Sequence, residues 1–318
     1  MTELNIPKAP LFRDPIYDGA ADPTIIWNRQ ERSWWLLYTA RRANVACPGF
    51  SWVHGTDIGI ASSHDGGRSW IYRGILNGLE FENGRNTFWA PEVIFAKGVY
   101  HMYVSYVRGI PADWLGERHI IHYTGKNLWE WRFASVLALS SDAVIDACVH
   151  KLPDGTWRMW YKDEAHGSHT YAADSEDLFQ WQPRGPVITD CPHEGPNVFF
   201  WRNAYWMITD PWNGFAVYQS PDCQKWFRQK NILDLPGKRQ DDTNHACHGD
   251  VLVRGEKAYL FYHVHPETYR DDSGNMLYSM PYASKRSVLQ VAELDLEMGA
   301  ITSNRDRNFD FILPPEGE

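Results

Sequence analysis

Short runs in which apolar residues alternate with polar ones fill this chain, most of them rich in Trp, Tyr, Val and Ile and bounded by Gly, Asp, Asn and Pro. Alternation of period two puts successive side chains on opposite faces of a strand, and no stretch sustains the 3.6-residue period of a helix. The pattern predicts an all-β protein.

A larger unit recurs within it: an acidic or His residue, a strand, a tight turn and a second, aromatic strand. The five copies are "ADPTIIWNRQERSWWLLYTARR", "APEVIFAKGVYHMYVSYV", "IDACVHKLPDGTWRMWYKDE", "EGPNVFFWRNAYWMITD" and "CHGDVLVRGEKAYLFYHVH". Their opening residues, Asp22, Glu92, Asp146, Glu194 and His248, lie 48 to 70 positions apart, which suits a four-stranded blade. Outer halves recur too, as "IGIASSHDGGRSWIYRG", "HIIHYTGKNLWEWRFAS", "HTYAADSEDLFQWQPRG" and "FAVYQSPDCQKWFRQ", with "RSVLQVAELDLEMGAITSN" left to complete the fifth. The expectation is one five-bladed β-propeller spanning residues 1–318 as a single catalytic domain. A β-sandwich would explain the strands but not the period. In a propeller the first strand of each blade lines the axis, so the opening residues converge on one mouth of the channel.

Charge narrows the partners. Lys and Arg number 31 against 40 Asp and Glu, a net charge of −9, and no basic run interleaves with aromatics. That excludes a nucleic-acid backbone as the expected ligand. No apolar window approaches the ~18 residues that a membrane span needs. The start "MTELNIPKAPLFRDP" has no basic segment followed by an apolar one, so a cytoplasmic protein is expected unless a leader was removed. Five cysteines without C-x-x-C spacing argue against a disulfide framework or a zinc ribbon. They read as small buried apolar residues.

Taken singly, Asp-Pro and Glu-Gly-Pro are turn chemistry. In order and at blade spacing, "ADP" at 21–23, "WAPEV" at 89–93, "IDA" at 145–147 and "EGPNV" at 194–198 resemble the blade-opening motifs of glycoside hydrolase family 43 and related five-bladed propeller glycosidases. The likeness runs from about residue 14 to about 300. It implies Asp22 as general base, Asp146 as the carboxylate that orients the acid and raises its pKa, and Glu194 as general acid. Inverting glycoside hydrolysis asks for such a set: one carboxyl to protonate the leaving oxygen and another to activate water on the opposite face. A third acid keeps the donor protonated by charge repulsion. Asp14 and Asp18 compete with Asp22, Asp142 with Asp146, and Asp190 with Glu194.

The second blade carries Glu92 where the family carries Asp, leaving a substrate contact or a structural hydrogen bond open. His248 resembles a fifth-blade histidine that holds a water or a calcium ion in the channel. It is the one candidate metal ligand, and no cofactor is otherwise required. Arg286 resembles the fifth-blade Arg that keeps the base ionised; a surface arginine is the alternative. Trp89 and Trp52 are the candidate stacking surfaces for a sugar ring. The cluster of Lys162, Asp163, Glu164, His166 and His169 departs from the family pattern and reads as a subsite or a solvated loop. The expected activity is exo-acting, inverting cleavage of a short oligosaccharide, arabinofuranosidase- or xylosidase-like.

Three rival readings remain. "SSHDGGRSW" carries Ser63, Asp65, Gly67, Ser69 and Trp70 in the Asp-box pattern of sialidases, where it is a structural turn; a sialidase also needs three converging arginines, for which only Arg13 and Arg286 offer themselves. His193 would suit the anhydro-galactosidase and galactofuranosidase relatives that use a His as acid. A sugar-binding propeller without catalysis would not need its acids to converge.

Overall fold

The computed structural model describes residues 4–267 and 280–316. Twenty strands form five antiparallel four-stranded sheets, each a plain meander in sequence order. Blade one holds β1 (Ala20–Asn28), β2 (Ser33–Ala40), β3 (Asp57–Ser63) and β4 (Ile71–Ile75). Blade two holds β5 (Thr87–Ala96), β6 (Val99–Val107), β7 (His119–Gly125) and β8 (Arg132–Val136). Blade three holds β9 (Val144–Lys151), β10 (Trp157–Asp163), β11 (His169–Ser175) and β12 (Gln182–Ile188). Blade four holds β13 (Glu194–Trp201), β14 (Ala204–Asp210), β15 (Ala216–Ser220) and β16 (Phe227–Arg228). Blade five holds β17 (Cys247–Arg254), β18 (Lys257–Val264), β19 (Val288–Glu297) and β20 (Ala300–Thr302). The inner strands β1, β5, β9, β13 and β17 abut in that order, and β17 returns to β1. The fold is the five-bladed propeller that the repeat predicts.

Apolar burial is divided among the seams between blades. Trp35, Leu37 and Ile60 pack against Val93, Met102 and Tyr123 between blades one and two. The seam between blades four and five sets Trp206, Ile208 and Val217 against Leu260, Tyr262 and Ala292. Each sheet is covered on both faces, which is why the strands carry aromatic and aliphatic residues on alternate sides rather than one polar face. Chain ends close the ring: Phe12 pairs with Leu289 of blade five, while Phe309, Phe311 and Leu313 pack among residues of blades five and one.

The outer hairpins repeat one turn. Ser63 Oγ accepts the Gly67 N–H and donates to Asp65, whose carboxylate accepts from Ser69. Ser175 with Asp177, and Ser220 with Asp222, cap the matching turns of blades three and four, and Asn127 does so in blade two. The Asp-box motif is thus a folding element here.

Candidate active site

Each inner strand begins with a bulge. The register slips just after Ala21, Trp89, Glu194 and Cys247, and at the matching place beyond Ile145. The residue at each slip takes a left-handed backbone: Asp22 (φ 48°), Ala90 (44°), Asp146 (61°), Gly195 (55°) and His248 (22°). For a residue with a Cβ this conformation costs roughly 1–2 kcal/mol, so something must hold it there. The holder comes from the preceding blade. Thr39 Oγ1 accepts the Ala90 N–H (2.9 Å), Ser105 Oγ that of Asp146 (2.9 Å), Asp210 Oδ2 that of His248 (2.8 Å) and His263 Nδ1 that of Asp22 (3.2 Å). These four acceptors stand at one register position, directly across from the residue before the bulge.

This numbering corrects two expectations. The second blade's counterpart of Asp22 is Ala90, not Glu92, because the bulge adds a residue that simple spacing does not see. Glu194 is not at the bulge either; it precedes Gly195, whose N–H donates to Asp146 Oδ2 at 3.2 Å. Glu194 shares its register position with Ala21, Trp89, Ile145 and Cys247.

The three expected acids do meet at one mouth. His248 Nδ1 lies 3.8 Å from Asp22 Oδ1 and 4.0 Å from Asp146 Oδ2. Arg41 grips Asp22 with one terminal nitrogen, 2.9 Å and 3.1 Å from its two carboxylate oxygens. Burial alone would raise the Asp22 carboxyl, but Arg41 and then His248 outweigh it and hold the group well below the usual carboxylate range. Asp146 goes the other way. Burial, together with Glu194 and Asp22, pushes it up to about 6 against the pull of His248 and Lys162. Asp210 is pushed up to about 7, by burial and then by Glu194. Glu194 keeps a quarter of its side chain exposed and meets the ammonium of Lys162 at 3.0 Å. Burial lowers His248's affinity for a proton, yet Asp146, Asp22, Glu194 and Asp210 together raise it.

Arg286, expected beside the base, binds Asp241 at 2.8 Å and lies 3.7 Å from Asp18. Arg41 occupies the place beside Asp22. The Arg286 backbone is linked to the site through His265, whose Nδ1 is 3.0 Å from the Arg286 carbonyl and whose Nε2 is 3.2 Å from Arg41. Trp89 and Trp52 are buried, not open stacking faces: the Trp89 indole donates to the Val53 carbonyl, and Trp52 meets His265 edge-on. An exposed indole, that of Trp212, lies 5.3 Å from Lys162 Nζ, and the Trp212 backbone N–H donates to Asp210. Its neighbourhood in sequence, "DPWNG", reads as a turn, so no periodic signal marks it.

The rivals fall away on geometry. Asp14 accepts from Tyr38 and from two backbone N–H groups; Asp18 binds Arg13 and Tyr282. Asp142 is exposed, and Asp190 bonds Tyr218. His193 is buried with both ring nitrogens engaged, one by the Cys191 carbonyl (2.8 Å) and one by Thr170 (2.6 Å). His193 belongs, with Asp190 and Cys191, to the one cluster among the described residues with metal-ligand proximity. Asp163 pairs with His166 and accepts from Ser140 and Ser141.

By sequence, the chain matches no protein-family model and no curated protein. By structure it is similar to a thermostable family-43 glycoside hydrolase, with 18% identity, a TM-score of 0.68 and coverage of 96% of this chain and 100% of the other. It is also similar to the GH43_1 enzyme of Xanthomonas citri, solved with xylotriose, at 14% identity and TM-score 0.67, covering 94% of each chain. A GH43 β-1,3-galactosidase solved with galactodeoxynojirimycin aligns at 16% identity and TM-score 0.64 over 92% of this chain and 96% of that one. The architecture is the one these enzymes share.

Proposed function

We propose that the chain is a glycoside hydrolase of the five-bladed propeller kind, exo-acting and inverting, on short oligosaccharides of the xylose and arabinose type. The observation that carries this reading is the convergence of Asp22, Asp146 and Glu194 on one mouth with unlike environments. A sugar-binding propeller without catalysis would have no use for that difference.

In this reading Asp22 is the base. A carboxylate that Arg41 keeps ionised across the working pH range is ready to take a proton from water as the water attacks the anomeric carbon. Glu194, on a blade not adjacent to blade one, gives its proton to the leaving oxygen. Its carboxyl meets the Lys162 ammonium at 3.0 Å, and the N–H of the next residue, Gly195, donates to Asp146. Because water is activated directly, no glycosyl-enzyme forms and configuration inverts.

The walls of the mouth support the exo mode. Residues 41–56 and 108–118 fold together on one side: Phe50 N–H donates to the Ala112 carbonyl, Ser51 Oγ to that of Pro111, and Trp114 packs on Phe50 and His54. Such a wall suits a pocket for a chain end more than an open cleft. The test is a panel of aryl glycosides and xylo- and arabino-oligosaccharides followed by proton NMR. One released residue per event, first seen as the inverted anomer, is expected; retained configuration, mid-chain cutting of a long polymer, or no cleavage of any member would overturn the reading.

A further inference from the structure

Four of the five positions that face a pre-bulge residue hold a hydrogen-bond acceptor: Thr39, Ser105, Asp210 and His263 each take the N–H of the next blade's bulge. The fifth, in blade three, is Lys162, which pairs across from Ile145. An ammonium cannot accept, and the next bulge, Gly195, turns its N–H to Asp146 instead. The ring is broken at one place only, and it is the place beside Glu194.

Lys162 is not solvated there. Its side chain is 4% exposed, and its Nζ donates to Glu194 Oε2 at 3.0 Å and to Glu164 Oε1 at 2.9 Å. Glu164 is held in turn by Arg118, 3.0 Å away and 5% exposed, whose other nitrogens bond the carbonyls of Gly116 and Trp114. Burying two cations with one backing carboxylate is costly unless the arrangement does something. Here it fixes the head of a lysine against the one carboxylate of the site that is partly open to solvent.

We propose that Lys162 is the positioning residue of Glu194: Glu164 and Arg118 hold its ammonium so that it aims the Glu194 carboxyl at the leaving oxygen. The proposal rests on the hydrolase reading for what Glu194 does, but the pairing itself does not depend on it. Lys162 touches no reacting atom in this account. The sequence cluster from Lys162 to His169 then divides into a functional pair, Lys162 and Glu164, and a structural one, Asp163 and His166.

A double-mutant experiment reads it with xylobiose, whose leaving sugar needs a proton, and 2,4-dinitrophenyl β-D-xyloside, whose leaving group does not. Lys162→Met should lower kcat on xylobiose at least tenfold more than on the aryl xyloside. Adding it to Glu194→Gln should cost little further, because an aiming residue has nothing left to aim. Lys162→Arg should recover most of the xylobiose rate, and Glu164→Gln should give the same split more weakly; the latter serves if Lys162→Met does not fold. Equal losses on both substrates, or additivity with Glu194→Gln, would mean a merely structural lysine. If the wild-type protein cleaves neither probe, the xylose-type reading of its substrate fails. Urea unfolding of wild type, Lys162→Met, Glu194→Gln and the double variant then decides the pairing, for which non-additive stabilities are expected and additive ones contradict it.

Discussion

Two rings of residues line the inner strands, two or three positions apart, and they use polar side chains for opposite ends. In the deeper ring Glu92 accepts the Val149 N–H (2.7 Å), Cys148 that of Val198 (3.2 Å), Asn197 that of Val251 (3.1 Å) and Asp250 that of Ile25 (2.8 Å). Each staples its blade to the next, and Thr24 and Asn197 also bond Asp250. In the mouth ring four of the five staples pass to the second strands; Asp146 alone takes the next blade's N–H, that of Gly195, while Asp22 is gripped by Arg41 and Glu194 by Lys162. An acid in the channel is therefore not a catalyst by position alone. Glu92 is an inter-blade staple, and its burial with Asp250 pushes its carboxyl up to about 8.

The sharpest way to break the comparison is to neutralise one acid from the mouth. Asp22→Asn should reduce kcat on every substrate by roughly 10²–10⁴-fold, the usual worth of a positioned base, while leaving the fold intact by circular dichroism. Next comes its partner. Arg41→Met removes the largest charge that opposes burial of Asp22, so the base regains its proton more readily and the acid limb of the pH–rate profile moves to higher pH. The depressed carboxyl also stabilises the fold above its unfolded value near 3.9 and ceases to do so as pH falls through the folded value. The variant should thus be less stable than wild type by about 3 kcal/mol at pH 7, with the gap closing in acid, as urea titrations would reveal.

The smallest effect belongs to the deeper ring. For Glu92 the folded value is the higher one, so its contribution to stability is whole below about pH 4 and is lost as pH rises toward 8. Glu92→Gln should match wild type near pH 4 and melt about 2 °C or more above it at pH 9, with kcat changed less than threefold. A tenfold loss of activity would place Glu92 at the substrate and erase the distinction between the rings.

Much of this was legible beforehand, for a physical reason. Blade seams impose strict alternation and each hairpin imposes its turn, so "SSHDGGRSW" and "DSEDLFQW" announce strands and spacing together. Asp22, Asp146 and Glu194 stand out because "ADP", "IDA" and "EGPNV" recur at blade spacing, and at Asp22 and Asp146 that regularity reflects a bulge where a short polar side chain tolerates a left-handed backbone. Glu92 was misaligned since a bulge inserts a residue without changing the pattern of apolar ones. Arg41 was missed, and Arg286 preferred, because the charge beside Asp22 comes from the end of its own hairpin, at a distance along the chain that any arginine could have. The burial of Trp89 and Trp52 depends on how two long loops fold over one another, which no period encodes.

The account stands or falls on the unlike tasks of Asp22 and Glu194, and one comparison of rates reaches that directly. Glu194→Gln should lose at least a hundredfold in kcat on xylobiose yet keep within about tenfold of wild type on 2,4-dinitrophenyl β-D-xyloside, whereas Asp22→Asn is slow on both. Wild-type-like cleavage of xylobiose by Glu194→Gln, or an equal loss on the two substrates, would contradict it.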